Sequence, residues 1–357
     1  MLPMGGAGAQ EIGDAAQSAA TQAVASGIPW APFPVEVWVN PFDMDGPREP
    51  LDYTPLATAE KAWRLCVTIP HVKDSYWLAV NYGLAKESRR LDVHLTLKEA
   101  GGYAHLDRHR AQIRACIEGD YDALIVGAIS YTEQNDLVAE ARAAGKPVID
   151  LVNGMSSPAL TAKSLVSFRE MAYQAGRFLR RSAASDARIG WFPGPKGAGW
   201  VADGDEGLRA ALAESDVEIL ETMHGDTTPE AQRQLVRDFL DRHPDVDVIV
   251  GTAVTVSQAA AELAARDRAG EIALVSYYLT QPVYRGLQKG TIQAAPTDSP
   301  VVQARIAVDQ AVRVLEGKPY RKHVGPRVYV IERFNVDLFE YRTALAPNVF
   351  TPVMSVN

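Results

Sequence analysis

The chain of 357 residues holds only two cysteines, Cys66 and Cys116. That excludes a disulfide-dense scaffold, and their separation is not the CxxC spacing of a zinc or redox site. Cys66 falls in the first expected strand and Cys116 near the end of a helix that can pass over it. Two buried thiols and one bridge are therefore both open. No apolar run approaches the roughly 18 residues needed to cross a bilayer, so no membrane insertion is expected. Positive charge is not in excess either: 36 Lys and Arg stand against 44 Asp and Glu, a net charge of −8. That balance argues against nucleic acid and against an anionic membrane surface, which both attract clustered cations. GxxxxGK[ST], GxSxG and HExxH are all missing, so phosphoryl transfer, α/β-hydrolase chemistry and zinc proteolysis lack their usual sequence support. No nucleophile, base and acid form a set. The expectation is a soluble protein that is not an enzyme and carries no metal and no cofactor.

What is present divides into a leader and an ordered body. Residues 1–61 read as a flexible leader rich in Ala, Gly, Ser and Gln, followed by an extended arm punctuated by Pro29, Pro32, Pro34, Pro41, Pro47, Pro50 and Pro55. A complete signal peptide is not there, but Ala7-Gly8-Ala9 before Gln10 has the small-x-small form of a cleavage site. The expectation is a coding frame that continues upstream of Met1 into a basic and then apolar stretch.

From Trp63 onward, short apolar runs alternate with helical stretches. Leu65–Ile69, Val93–Leu97, Leu124–Val126 and Pro147–Leu151 form one series. Arg188–Phe192, Val217–Leu220, Val246–Val250, Ile272–Val275 and Ile292–Ala295 form a second. This is the pattern of parallel sheets covered on both faces, an α/β fold in two halves. Thr228-Pro229-Glu230 and Ser299-Pro300 read as helix starts, with a hydroxyl cap and a proline in the first turn.

Aromatic residues gather where the expected strands end, at Ser75-Tyr76-Trp77, Gly101-Gly102-Tyr103 and Ser276-Tyr277-Tyr278. Ligands of open α/β sheets bind beyond the carboxyl ends of the strands, so these rings point to an aromatic pocket for a methylated, cationic or flat ligand. His105 and His109 have helical metal-binding spacing, but the charged residues around them favour a solvated face. Gly194-Pro195-Lys196-Gly197-Ala198-Gly199 reads as a tight turn rather than a nucleotide loop, because the GxGxxG pattern and its downstream acid are lacking.

Residues 71–83, HVKDSYWLAVNYG, together with Glu99-Ala100-Gly101-Gly102-Tyr103, Val275-Ser276-Tyr277-Tyr278-Leu279 and Val283-Tyr284-Arg285-Gly286-Leu287, resemble in order the motifs of the TorT-type periplasmic sensors of trimethylamine N-oxide (TMAO). The resemblance runs from about Trp63 to beyond Gln310. It implies a two-lobed type I periplasmic-binding-protein fold, each lobe a parallel sheet flanked by helices, with a three-crossing hinge near Thr161, Ser276 and Thr297. The lobes would be 62–162 with 298–320, and 163–297, and 321–357 would trail along them as a tail. It also implies a periplasmic location, a partner of the TorS sensor-kinase type, and a ligand box of Tyr76, Trp77, Tyr103 and Tyr278. Phe168 stands where the family carries a tryptophan. Asp74 and Asp298 would orient the donors for the N-oxide oxygen, and Tyr131 would lie outside the box. The alternatives are an ABC-transporter solute-binding protein for a sugar or other small polar solute, and an enzyme of unassigned type.

Overall fold

The computed structural model describes residues 30–184 and 186–357, so most of the expected leader, including Ala7-Gly8-Ala9, lies outside the described residues. The described chain begins with β1 (Phe33–Trp38) and β2 (Arg48–Tyr53). It continues through β3 (Arg64–Ile69), α1 (Ser75–Leu91), β4 (His94–Glu99), α2 (Leu106–Glu118), β5 (Ala123–Val126), α3 (Asn135–Ala143), β6 (Val148–Leu151) and β7 (Ala162–Ser164). Next come α4 (Phe168–Ser182), β8 (Arg188–Gly194), α5 (Gly199–Leu212), β9 (Glu218–His224), α6 (Pro229–Arg242), β10 (Val248–Gly251), α7 (Ala253–Ala265), β11 (Ala273–Ser276), α8 (Gln281–Lys289) and β12 (Ala294–Thr297). The last elements are α9 (Pro300–Leu315), β13 (His323–Pro326), β14 (Tyr329–Glu332) and β15 (Ser355–Val356).

Two compact units result. The first holds 30–166, Ser299–Arg327 and Tyr341–Asn357; the second holds Ser167–Asp298 and Val328–Glu340. In the first unit the strand order is β15-β4-β3-β5-β6-β7-β13-β1-β2, and in the second β14-β12-β11-β10-β8-β9. Within each sheet the strands β3 to β7 and β8 to β12 pair in parallel with one another. Strands β5, β6 and β10 are buried along their whole length, because helices cover both faces of the sheets and continuous apolar runs suit that environment.

Several expectations change. The proline-punctuated arm is not simply extended coil, since β1 and β2 form a paired hairpin at a sheet edge. Phe33, Val35 and Tyr53 point inward onto Val302, Ile306 and Val324, while Pro50 lies on β2, the edge strand, where a missing N–H is tolerated. Residues 321–357 are not only a tail: β13 inserts between β7 and β1, β14 pairs with β12, and β15 pairs with β4. The passages between units fall after Val166, Asp298, Arg327 and Glu340, and Ser276 is internal to the second unit rather than at a crossing. Thr228 caps α6 through its side chain as read, whereas Ser299 caps α9 through its backbone carbonyl, which accepts the Val302 and Gln303 N–H groups, and adopts a left-handed backbone (φ 50°) ahead of Pro300.

His109 is not on a solvated face. It is fully buried, with its Nδ1 2.8 Å from Gln134 Nε2. Gln134 Oε1 accepts the N–H groups of Ile129 (2.9 Å) and Ser130 (3.1 Å), so its amide nitrogen donates to the imidazole, which is therefore neutral. Burial pushes the His109 pKa down to about 4. Cys66 on β3 and Cys116 on α2 are joined as a disulfide within a buried apolar cluster, which closes the alternative left open by their spacing.

Candidate functional site

In both units the sheet order reverses next to the first parallel strand. β3 lies between β4 and β5, and β8 lies between β9 and β10. Crevices at such switch points, beyond the strand carboxyl ends, are the usual ligand positions of open α/β sheets. Aromatic residues lie beyond the strand ends in both units: Tyr76, Trp77 and Tyr103 after β3 and β4 in the first, Trp200 after β8 and Tyr278 after β11 in the second.

In the first unit, β3 runs into His71, and Asp74 caps α1 by accepting the Trp77 N–H at 2.9 Å. Asp74 Oδ1 thus has a structural task, holding the start of the helix that carries Tyr76 and Trp77. Both of these rings are buried and meet edge to face, 6.1 Å apart. The Trp77 indole lies over Gly127 at the end of β5, where any Cβ would fall 2.7 Å from the ring. Only glycine permits that approach. His71 meets Trp77 at 6.2 Å and Tyr103 at 5.6 Å, both nearly perpendicular, so the four rings form one continuous run. The loop bearing Tyr103 is tied down by Gly102 N–H to the Pro70 carbonyl (2.9 Å) and by the Lys73 ammonium to the Gly101 carbonyl. Asn153, which follows β6, donates through Nδ2 to the Tyr103 hydroxyl (3.0 Å) and to the Ala128 carbonyl (2.6 Å).

In the second unit, Ser167 caps α4 and Phe168 is its first residue. The Phe168 ring packs 5.5 Å from Trp200, and Trp200 in turn lies 6.5 Å from Tyr278, almost perpendicular to it. Trp200 reaches this position because the turn after β8 is tight: a Cβ on Gly194 would lie 2.6 Å from its ring. Adjacent Tyr277 is fully buried and donates to the Pro193 carbonyl at 2.5 Å, which makes it a strut under Tyr278. Asp298, also buried, follows β12 at the end of this unit.

The structure thus brings Tyr76, Trp77 and Tyr103 together in one unit and Phe168 and Tyr278 in the other. Sequence reasoning missed Trp200, the ring joining Phe168 to Tyr278, although it stands immediately after the glycine-rich turn singled out above. It also missed Asn153, whose signal is only a polar residue just beyond an apolar strand. Tyr131 packs its ring toward Gly154, beside Asn153. Among the described residues no group of three or more His, Cys, Asp or Glu is arranged to hold a metal ion, and no helix is long and apolar enough to cross a membrane.

The periplasmic binding protein domain family matches residues 65–319. Periplasmic protein TorT of Escherichia coli K12 is 39% identical over 301 residues, which covers 84% of this chain and 86% of that protein. Among solved structures, an ABC transporter solute binding protein from Bradyrhizobium sp. BTAi1 with bound bis-tris superimposes with a TM-score of 0.80 at 44% identity, covering 91% of this chain and 98% of that one. The TorS sensor domain–TorT complex in the presence of TMAO gives 0.73 at 32% identity, covering 81% and 99%.

Proposed function

The chain is a TorT-type member of the periplasmic binding protein family, and on that premise we propose that it is a periplasmic sensor that captures TMAO or a related methylamine and presents the liganded form to a sensor histidine kinase of the TorS type. The observation that carries the reading is the gathering of rings in each unit, Tyr76, Trp77 and Tyr103 in one, Phe168, Trp200 and Tyr278 in the other. A nitrogen bearing three methyl groups and a formal positive charge suits the negative faces of such rings, at about 0.5 to 2 kcal/mol for each. Asp74 and Asp298 are the carboxylates assigned to orienting donors toward the N-oxide oxygen. The Cys66–Cys116 bridge fits an oxidising compartment.

Ligand size bounds the affinity. TMAO has five heavy atoms, and a ceiling of about −1.5 kcal/mol per atom allows roughly −7.5 kcal/mol, or a Kd of a few μM. Calorimetric titration with TMAO is the direct test; no heat and no thermal shift at millimolar TMAO would sink the reading.

A second reading has a specific observation behind it. The Bradyrhizobium relative is an ABC transporter solute binding protein and holds bis-tris, a tertiary amine carrying hydroxyl groups. A transport role for a larger hydroxylated amine or a sugar would appear in a thermal-shift panel as a response to those compounds in place of TMAO.

A further inference from the structure

We infer that the loop 39–47, between β1 and β2, is an acid-released latch: it closes over a buried row of side chains while the His323 ring is neutral and lets go when that ring takes up a proton. The row lies outside the candidate ligand site, and the inference stands independently of the methylamine reading.

Strand register assembles the row. Asp150 on β6 lies opposite Lys163 on β7, and Lys163 lies opposite His323 on β13. Residues paired across neighbouring strands point to the same face, and their chain neighbours point to the other. The other face here belongs to α9: Ser164 Oγ donates to the Gln303 carbonyl (2.7 Å), and Val324 packs with Val302 and Ile306. Trp38 on β1 extends the row, its ring stacked 3.8 Å from His323 and nearly parallel to it. The loop 39–47 closes over these side chains through three contacts. His323 Nδ1 lies 3.0 Å from the Pro41 carbonyl, Trp38 Nε1 donates to the Met44 carbonyl at 3.1 Å, and the Lys163 ammonium lies 5.6 Å from the centre of the Phe42 ring. Val39, Asn40, Asp43 and Asp45 of the loop are exposed, whereas Lys163 and His323 beneath it are buried.

Charge decides what the latch does. A carbonyl can only accept, so Nδ1 carries the hydrogen shared with Pro41, and a second proton has to go to Nε2. The charged side chains acting on that ring are Lys163 from β7 and Arg48 from β2, both cations. Arg48 is itself paired with Glu36 on β1 (3.0 Å) and lies over the Trp38 ring (5.1 Å). The carboxylate of the row, Asp150, faces Lys163 at 3.7 Å, and its Oδ2 also accepts the Met155 N–H at 2.8 Å. While Asp150 is ionised and His323 is neutral, Asp150, Lys163 and His323 together carry no net charge. Burial raises Asp150 to about 6, so acid removes this counter-charge first. A proton on His323 then sets two cations side by side in a buried place. The Pro41 and Leu165 carbonyls favour that proton, but burial and Lys163 outweigh them and hold the ring down to about 3. Hydrating the two cations requires the cover to part, and water would return the imidazole to an ordinary value of about 6.5. The neutral latch is therefore complete above about pH 6.5 and weakens as pH falls toward 3.

The test is limited digestion with pepsin between pH 5 and pH 3, with the products identified by mass. The parent is compared with His323→Phe, which keeps a ring beside Trp38 but cannot take up a proton. Taking the ratio of the two cleavage rates at each pH cancels the pH dependence of the protease itself. Cleavage within 39–47 tracks the population of open loop, so one proton linked to opening predicts a parent-to-variant ratio that rises about tenfold per pH unit between pH 5 and 4 and levels off near 3. The slope is read and not the level, so a variant whose loop is looser at every pH still answers the question. If His323→Phe does not fold, His323→Gln, which is neutral and can donate to Pro41, takes its place. A ratio that does not change with pH, no cleavage within 39–47 down to pH 3, or acid cleavage of the parent that begins elsewhere would overturn the inference and leave the methylamine reading untouched.

Discussion

Acidification from pH 6 to pH 4 should destabilise the first unit through two buried histidines, against the partial opposition of one buried carboxyl. Burial pushes His109 from 6.5 down to about 4. His323, stacked 3.8 Å from the Trp38 ring, is pushed from 6.5 to about 3, by burial first and then by the charge of Lys163. A base whose folded-state pKa lies below its unfolded value takes up its proton more readily in the unfolded chain. The stability from these two neutral imidazoles is therefore complete above about pH 6.5 and is lost as pH falls toward 4 and 3. Asp150 acts in the opposite direction. Burial raises it from 3.8 to about 6, with Lys163 and the Met155 N–H only partly offsetting this, so the folded protein binds that proton first and gains relative stability on acidification. Between pH 6 and 4 the balance is two protons favouring the unfolded chain and one favouring the folded chain, a slope of about 1.4 kcal/mol per pH unit. Urea denaturation at fixed ionic strength across this range measures it. Asp150→Asn removes the opposing proton and should steepen the slope to about 2.7 kcal/mol per pH unit. A stability that stays flat between pH 6 and 4, or an unchanged slope in Asp150→Asn, would refute the argument.

Other outcomes follow from the same geometry. Reducing the Cys66–Cys116 bridge, which spans a sequence separation of 50, should lower stability by about 4 kcal/mol on the loop-entropy estimate; an unfolded, unreduced sample that titrates as two free thiols would show that the bridge does not form. Gly127→Ala places a methyl group 2.7 Å from the Trp77 indole, so it should shift the near-ultraviolet dichroism of that ring, destabilise by about 1 to 3 kcal/mol and weaken TMAO binding. Tyr278→Ala should weaken TMAO by about 1 to 2 kcal/mol, roughly tenfold, in calorimetry. Unchanged binding in that variant would remove Tyr278 from the proposed box.

The α/β class was legible in the chain because a strand covered on both faces has to be apolar along its whole length, and runs such as Leu124–Val126 and Val246–Val250 alternate with helical stretches. The rings at Tyr76, Trp77, Tyr103 and Tyr278 were legible for a related reason: strand ends can be located from those runs, and in such sheets strand ends are where sites form. Local chemistry also sufficed for the Thr228 cap, whose partner N–H lies three residues away. What the sequence could not disclose depends on partners distant along the chain. The burial of His109 is decided by Gln134, the joining of Cys66 to Cys116 by the placement of α2 against β3, and the fate of 321–357 by open edges on β4, β7 and β12. Asn153 acquires its meaning only when Ala128 and Tyr103 are brought to the same amide nitrogen. Periodicity records which face of an element is apolar, but a hydrogen bond between residues 50 positions apart leaves no period in the sequence, and only the folded chain determines it.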